Sequence, residues 1–125
     1  MAGKSVPAAH RWAAAGLEVL ANVDFVDGRL HRPGSYVVCF GAEWCRVTRR
    51  FVPRFVELRE KLPSAFAIAD ITDLKNPLWD EFRIRITPSI IVFRDGEALL
   101  RVDGRRFLGI TKSQLATLEQ ALAEQ

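Results

Sequence analysis

The stretch Phe40-Gly-Ala-Glu-Trp-Cys-Arg-Val-Thr-Arg49 joins two segments whose apolar residues repeat with different periods. Before it, Ser35 to Gly41 is a short apolar run rich in β-forming residues, which suits a strand buried on both faces. After it, Val47, Phe51, Phe55, Leu58 and Leu62 fall on one helical stripe, while Arg49, Arg50, Arg54, Glu57 and Lys61 lie off it. The spacing predicts a helix over residues 45–62, kinked where Pro53 removes one backbone hydrogen bond. Cys45 thus stands where a strand hands over to a helix. Three residues later, where a second cysteine would complete a two-electron pair, the chain has Thr48.

Further along, Ala65 to Ile71 is a second buried strand, and Asn76-Pro77 opens a short helix carrying Leu78, Trp79 and Phe82. Ser89 to Phe93 and Ala98 to Val102 are strands around Asp95-Gly96, a strong hairpin signal. Thr111 with Gln114 forms a capping box that starts a last helix, with Leu115, Leu118 and Leu122 toward the core. Toward the N-terminus, Asp24 to Gly34 is turn-rich, with Asp27-Gly28 suited to a tight turn beside a short edge strand. Trp12, Gly16, Val19, Leu20 and Val23 recur at helical spacing and predict an amphipathic first helix. A leader peptide is the poorer reading: Lys4 and Arg11 precede the apolar run, but Glu18 interrupts it and no small-x-small cleavage site follows. A strand-helix-strand unit joined to a hairpin predicts an α/β fold with three layers, a mixed central sheet carrying helices on both faces.

A chain of 125 residues that is 49% apolar has room for a single domain, here residues 35–124 as the core with 1–34 as a helical, turn-rich extension. Eighteen Lys and Arg against fifteen Asp and Glu leave a net charge of +3, too modest for a nucleic-acid footprint. Two cysteines, Cys39 and Cys45, are too few for a disulfide scaffold and lack the histidines of a zinc site, so an intracellular, cytoplasmic protein is expected. No segment approaches the roughly 20 apolar residues of a membrane span. His10 and His31 lie far apart without convergent ligands, and neither metal nor cofactor is implied.

These features in this order resemble the thioredoxin family over about Ser35 to Leu122. Phe40-Gly-Ala-Glu-Trp-Cys resembles the entry to that family's redox site, and Pro53 lies where its long helix carries a kinking proline. Ile86-Thr-Pro-Ser89 resembles its cis-proline loop, Phe93-Arg-Asp-Gly-Glu97 its hairpin, and Val102-Asp-Gly104 the stretch ending in the glycine that flanks its substrate groove. The departures matter equally. The family's Cys-Gly-Pro-Cys is here Cys45-Arg46-Val47-Thr48, and Cys39 falls where the family buries an aspartate that assists the second sulfur. The acid and its target are lost together.

What remains is one sulfur at a helix start. Helix N-terminal amides stabilise a thiolate, and Arg46 and Arg49 are expected to add to a lowered Cys45 pKa, with the Thr48 hydroxyl as a hydrogen-bond donor. Attack on a disulfide then stops at a mixed disulfide until another thiol resolves it. Three outcomes stay open: exchange assisted by a small thiol such as glutathione, isomerisation resolved by the client's own thiol, or no turnover. Cys39 is the one internal candidate to resolve Cys45, although a buried strand cysteine is more often a small core hydrophobe. The resemblance implies that Thr87 and Pro88 pair with an extended client beside Gly104, with Trp44 and Val47 supplying apolar contact. Arg46, Arg49, Arg50, Arg105 and Arg106 suggest a preference for an acidic client protein disulfide or an anionic small thiol. Trp12 and Trp79 read as core, and Arg83 and Arg85 as charges flanking a buried Ile84 and Ile86. The rival function is a binding or assembly module that keeps the fold without redox chemistry.

Overall fold

Between Ser35 and Gly41 seven residues form the middle strand of a five-stranded sheet, and the rest of the protein is arranged about them. A computed structural model describes residues 8–124; Lys4 and the side chain of His10 lie outside what it describes. In chain order the elements are α1 (Ala8–Ala14), β1 (Glu18–Leu20), β2 (Phe25–Val26), β3 (Arg29–Leu30), β4 (Ser35–Gly41), α2 (Arg46–Arg59), β5 (Ala65–Asp70), α3 (Leu78–Glu81), β6 (Ser89–Arg94), β7 (Glu97–Asp103) and α4 (Lys112–Ala123). The sheet order is β1-β5-β4-β6-β7. β4 pairs parallel with β5, Cys39 opposite Ile68, and antiparallel with β6, Cys39 opposite Ile90. The sheet is therefore mixed.

Local chemistry accounts for most of these elements. Asp95 and Gly96 both have positive φ, +48° and +91°, as the tight β6–β7 turn requires. Thr111 and Gln114 form the reciprocal cap of α4, Thr111 Oγ1 accepting from Gln114 N–H at 3.2 Å. Asn76 Oδ1 accepts from Leu78 N–H and so holds the start of α3. Pro53 sits inside α2 on its exposed side, while Phe51, Phe55 and Leu58 turn inward.

The N-terminal part departs from expectation. The first helix does not run on to Val23: Gly16, with φ +86°, ends it after Ala14. Gly16 N–H bonds Ala13 O and Leu17 N–H bonds Trp12 O, the pair of reversed bonds that terminates a helix at glycine. Glu18 to Leu20 then form an edge strand parallel to β5, with Leu20 opposite Ala69. Val19 and Leu20 matched a helical period by coincidence, and what decides their state is a pairing with residues nearly fifty positions away. The Asp27-Gly28 turn does form, but β2 and β3 make a separate two-stranded ribbon and not an edge of the main sheet.

Both sheet faces are covered. On one, Trp12 of α1, Phe51, Phe55 and Leu58 of α2, and Leu118 and Leu122 of α4 pack on Val37, Cys39, Ile68, Ile90 and Val92. On the other, Leu78 and Phe82 of the α3 region and Phe25 and Leu30 of the ribbon pack on Val38, Phe40, Ala69 and Phe93. Phe25, Phe40, Phe82 and Phe93 form an aromatic knot with tilted or edge-on rings 5.2 to 5.9 Å apart. Helices thus lie on both faces, the three-layer α/β/α arrangement expected from the sequence. The carboxyl ends of β4 and β5 and the start of β6 leave the sheet at one end, and the candidate site is there.

Candidate functional site

Cys45 is the residue that caps α2. Its backbone is extended (φ −87°, ψ 111°), and no side-chain oxygen bonds the first amides of the helix. The sulfur takes the place that a capping serine or aspartate oxygen holds elsewhere, facing the N–H groups of Val47 and Thr48. Gly41 fixes how closely the strand end and the helix approach, since a Cβ there would lie 2.5 Å from Thr48 Cγ2.

Thr48 is fully buried, and its hydroxyl has no hydrogen-bond partner among the described residues. A buried hydroxyl without a partner carries a desolvation cost of about 1–3 kcal/mol. Ionised Cys45 supplies the acceptor that this hydroxyl lacks. Burial pushes the Cys45 thiol up, but Thr48 and Thr87 side chains and the N–H groups of Thr48 and Val47 together outweigh it, and the thiol sits below its ordinary value. The expected contribution of Arg46 and Arg49 is not among the main causes. Arg46 is exposed, and the Arg49 guanidinium turns away to donate to the Glu43 carbonyl. The neutral thiol also donates weakly to Thr87 O at 3.7 Å, a contact that ionisation removes.

Cys39 lies on β4 beneath this arrangement and is wholly buried; burial pushes its thiol far up, and the charge of Cys45 adds to that. Both cysteines are free. Cys39 is a core residue of the sheet face beneath α2.

The other candidates converge on the same place. Thr87 precedes Pro88 through a cis peptide bond, and the Thr87 N–H pairs with no backbone carbonyl among the described residues. Gly104 donates to Pro88 O at 3.1 Å, and a Cβ at Gly104 would stand 2.5 Å from that oxygen, so the approach admits only glycine. Trp44 is half exposed, its indole N–H donating to Thr72 O at 2.9 Å. One open groove is lined by Trp44, Cys45, Val47, Ile86 and Thr87, and also by Trp79, Arg85, Arg106 and Phe107. Gly104 lies behind the loop and does not line it.

Several partners were not visible in the sequence. Trp79 is only partly buried and stacks on Trp44, centroids 6.3 Å apart and planes 10° from parallel, so it is a groove residue more than a core one. Ile86 is half-buried and lines the groove, unlike the buried Ile84. Thr72 holds the loop before Cys45, its hydroxyl accepting from Glu43 N–H and donating to Asp70 Oδ1. Arg11 on α1 pairs with Glu43 at 2.9 Å, and Trp12 donates to Asp70 at 3.4 Å, which ties the N-terminal helix to the site. None of these contacts has a local motif.

The comparisons with known proteins agree with this fold. A thioredoxin H-type of Populus jackii is 29% identical over 90 residues, covering 70% of this chain and 64% of that protein. Protein disulfide-isomerase A3 of Gallus gallus is 28% identical over 88 residues, covering 70% of this chain and 17% of that protein. The chain therefore spans less than two thirds of the length of either relative. Thioredoxin f2 of Chlamydomonas reinhardtii superimposes with a TM-score of 0.65 at 18% identity, covering 85% of this chain and 95% of that one. The thioredoxin family profile matches residues 18–117. That match runs from the first strand of the sheet into its last helix, and the protein belongs to the thioredoxin family.

Proposed function

We propose that Cys45 is the sole nucleophile of a monothiol thiol-disulfide exchange, acting on a disulfide of a client protein or of a small thiol such as glutathione. The observation that carries this reading is the half-buried Cys45 sulfur at the start of α2, set against the N–H groups of Val47 and Thr48 and beside a buried Thr48 hydroxyl with no other partner among the described residues. The thiolate attacks one sulfur of the client disulfide; a Cys45–client S–S bond forms, the client S–S bond breaks, and the electron pair leaves on the second client sulfur. Release needs a further thiolate, which attacks the mixed disulfide and frees Cys45 as thiolate. When that thiolate is the client's own, the outcome is isomerisation with no net change in oxidation. When two external thiols act in succession, the client is reduced and they emerge as a disulfide. Trp44 and Val47 offer apolar contact beside the sulfur, and the Thr87 N–H offers a backbone donor to an extended client segment. Arg46, Arg85 and Arg106 favour a client or small thiol with negative charge.

Support from relatives is limited to what their names state, a disulfide isomerase and thioredoxins. No helix among the described residues is long and apolar enough to cross a membrane. Two free cysteines fit a reducing compartment such as the cytoplasm. The second reading, a thioredoxin-fold binding or assembly module without redox turnover, draws on Thr48 in the place of a second sulfur and on the sealing of Cys39.

The two are separated by the pH dependence of Cys45 alkylation by iodoacetamide, read by peptide mass with Cys39 as the buried control. Because the Cys45 thiol is lowered, its thiolate fraction grows at pH values below the free-cysteine midpoint of about 8.5, and labelling should follow that shifted curve. Thr48→Val keeps the volume, removes the donor, and should move the midpoint back up. A wild-type midpoint at or above the free value would leave the binding module as the reading to hold.

A further inference from the structure

After β7 the chain reaches α4 through a loop whose groove-facing role has no counterpart in the sequence motifs. Arg105 and Gly109 bond each other across it, Arg105 N–H to Gly109 O and Gly109 N–H to Arg105 O, both at 2.8 Å. Arg106, Phe107 and Leu108 are thereby held at its tip. Phe107 has φ +66°, a conformation that a bulky residue adopts only at a cost of about 1–2 kcal/mol, and its side chain is 82% exposed. The fold gains no burial in return. The Phe107 carbonyl accepts from Arg50 at 3.4 Å, and the Arg106 guanidinium lies 5.8 Å from the Phe107 ring centre. The loop is thus closed at its base and held at its tip by Arg50, and Phe107 lines the groove containing Cys45, Trp44, Trp79 and Thr87.

The charge around this groove is unbalanced. Arg46, Arg50, Arg85, Arg105 and Arg106 are exposed, and none has an ion-pair partner among the described residues. Of the carboxylates nearby, Asp103 is engaged with Arg101 at 2.9 Å and Glu43 with Arg11 at 2.9 Å, while Asp73, whose backbone carbonyl accepts from the Trp79 indole, accepts from the Lys75 N–H through its carboxylate. An apolar groove lined by Arg85 and Arg106, with Arg46 next to Cys45 in the chain, complements a segment that is apolar at its centre and acidic at its flanks.

We propose that the Arg105–Gly109 loop is a specificity element, with Phe107 receiving a large apolar side chain of an extended protein segment that carries acidic residues beside its reactive cysteine. The proposal rests on the reading of Cys45 as the exchanging thiol only for the covalent step; recognition by Phe107 stands apart from it. Glutathione is anionic but has no large apolar side chain, so the stacked tryptophans and Phe107 present more apolar surface than it uses.

The test uses four peptides in which a central cysteine is paired with thionitrobenzoate, with Phe or Gly beside it and either Asp or Lys on the flanks. The rate of thionitrobenzoate release is measured for wild type, Phe107→Ala and Phe107→Tyr. Wild type should favour Phe over Gly by about tenfold in the acidic series, the size expected of one apolar subsite. Phe107→Ala should bring that ratio near one, and Phe107→Tyr should retain most of it. The acidic preference should shrink as salt is raised. Calorimetric titration with the same peptides carrying Ser for Cys reads recognition without chemistry. If no variant releases thionitrobenzoate but binding still depends on Phe107, the exchange reading falls and the loop assignment stands. If the Phe-to-Gly ratio and the binding are the same in wild type and Phe107→Ala, or basic peptides are preferred, the assignment is overturned.

Discussion

Thr48→Cys should raise the rate of dithiol turnover by about a hundredfold or more, measured as reduction of a protein disulfide in excess dithiothreitol. A resolving thiol one helical turn from Cys45 acts at an effective concentration far above the millimolar level of a small thiol, and well-placed intramolecular groups exceed that by orders of magnitude. The position is prepared for it. Thr48 is buried one helical turn after the capping sulfur, and its Oγ1 is beside Cys45 without another partner among the described residues. Cysteine is smaller than threonine by the methyl that packs on Gly41, so the strand-helix approach is not crowded by the change. Oxidation of the variant should join the introduced sulfur to that of Cys45, visible as a loss of two hydrogens in the intact mass. A Thr48→Cys protein that oxidises only between molecules would show that the two positions do not meet, and the site drawn here would be wrong.

Trp12→Ala should produce the largest loss of stability of any single change outside the sheet, about 3–5 kcal/mol in urea denaturation, since a wholly buried indole leaves a cavity of its own size. Trp12 is 1% exposed and packs in the cluster formed by α2, α4 and the sheet. Against a total of about 5–15 kcal/mol for an ordinary domain this is a substantial share. Its indole N–H also holds Asp70, which accepts from Thr72, which in turn accepts from the Glu43 backbone N–H and the Trp44 indole N–H. The same variant should therefore alter Cys45 alkylation even below the unfolding transition. A loss under about 1 kcal/mol would mean that α1 does not dock against the sheet as described.

What the sequence made legible follows from the range of the interactions. β4, the β6–β7 hairpin and α4 each carry their own signal, a β-rich run, an Asp-Gly turn and a reciprocal cap, and each forms as expected. β1 has no such signal, because three residues become a strand only through pairing with β5. The same division runs through the site. Cys45 at a helix start beside Thr48 could be read from spacing, whereas the stack of Trp44 on Trp79 and the approach of Phe107 depend on elements more than thirty residues apart. The arginines were a fair inference from charge alone. The amide and Thr48 hydroxyl donors, also expected at the helix start, are the causes that lower the thiol, with Thr87 added by the fold.

The sealing of Cys39 between the sheet and α2 has a bearing on damage as well as on exchange. In a dithiol site, peroxide that converts the outer sulfur to a sulfenic acid is answered within the molecule, because the neighbouring thiol condenses with it to a disulfide that reductants reverse. Here the neighbour is a hydroxyl, and the other sulfur is shut away from solvent. A sulfenic acid on Cys45 depends on a thiol from outside the chain, a small thiol or a client's, to rescue it, and where these are scarce it proceeds to the sulfinic acid, which they do not reverse. The working life of this protein under oxidant is thereby set by the thiol content of its surroundings.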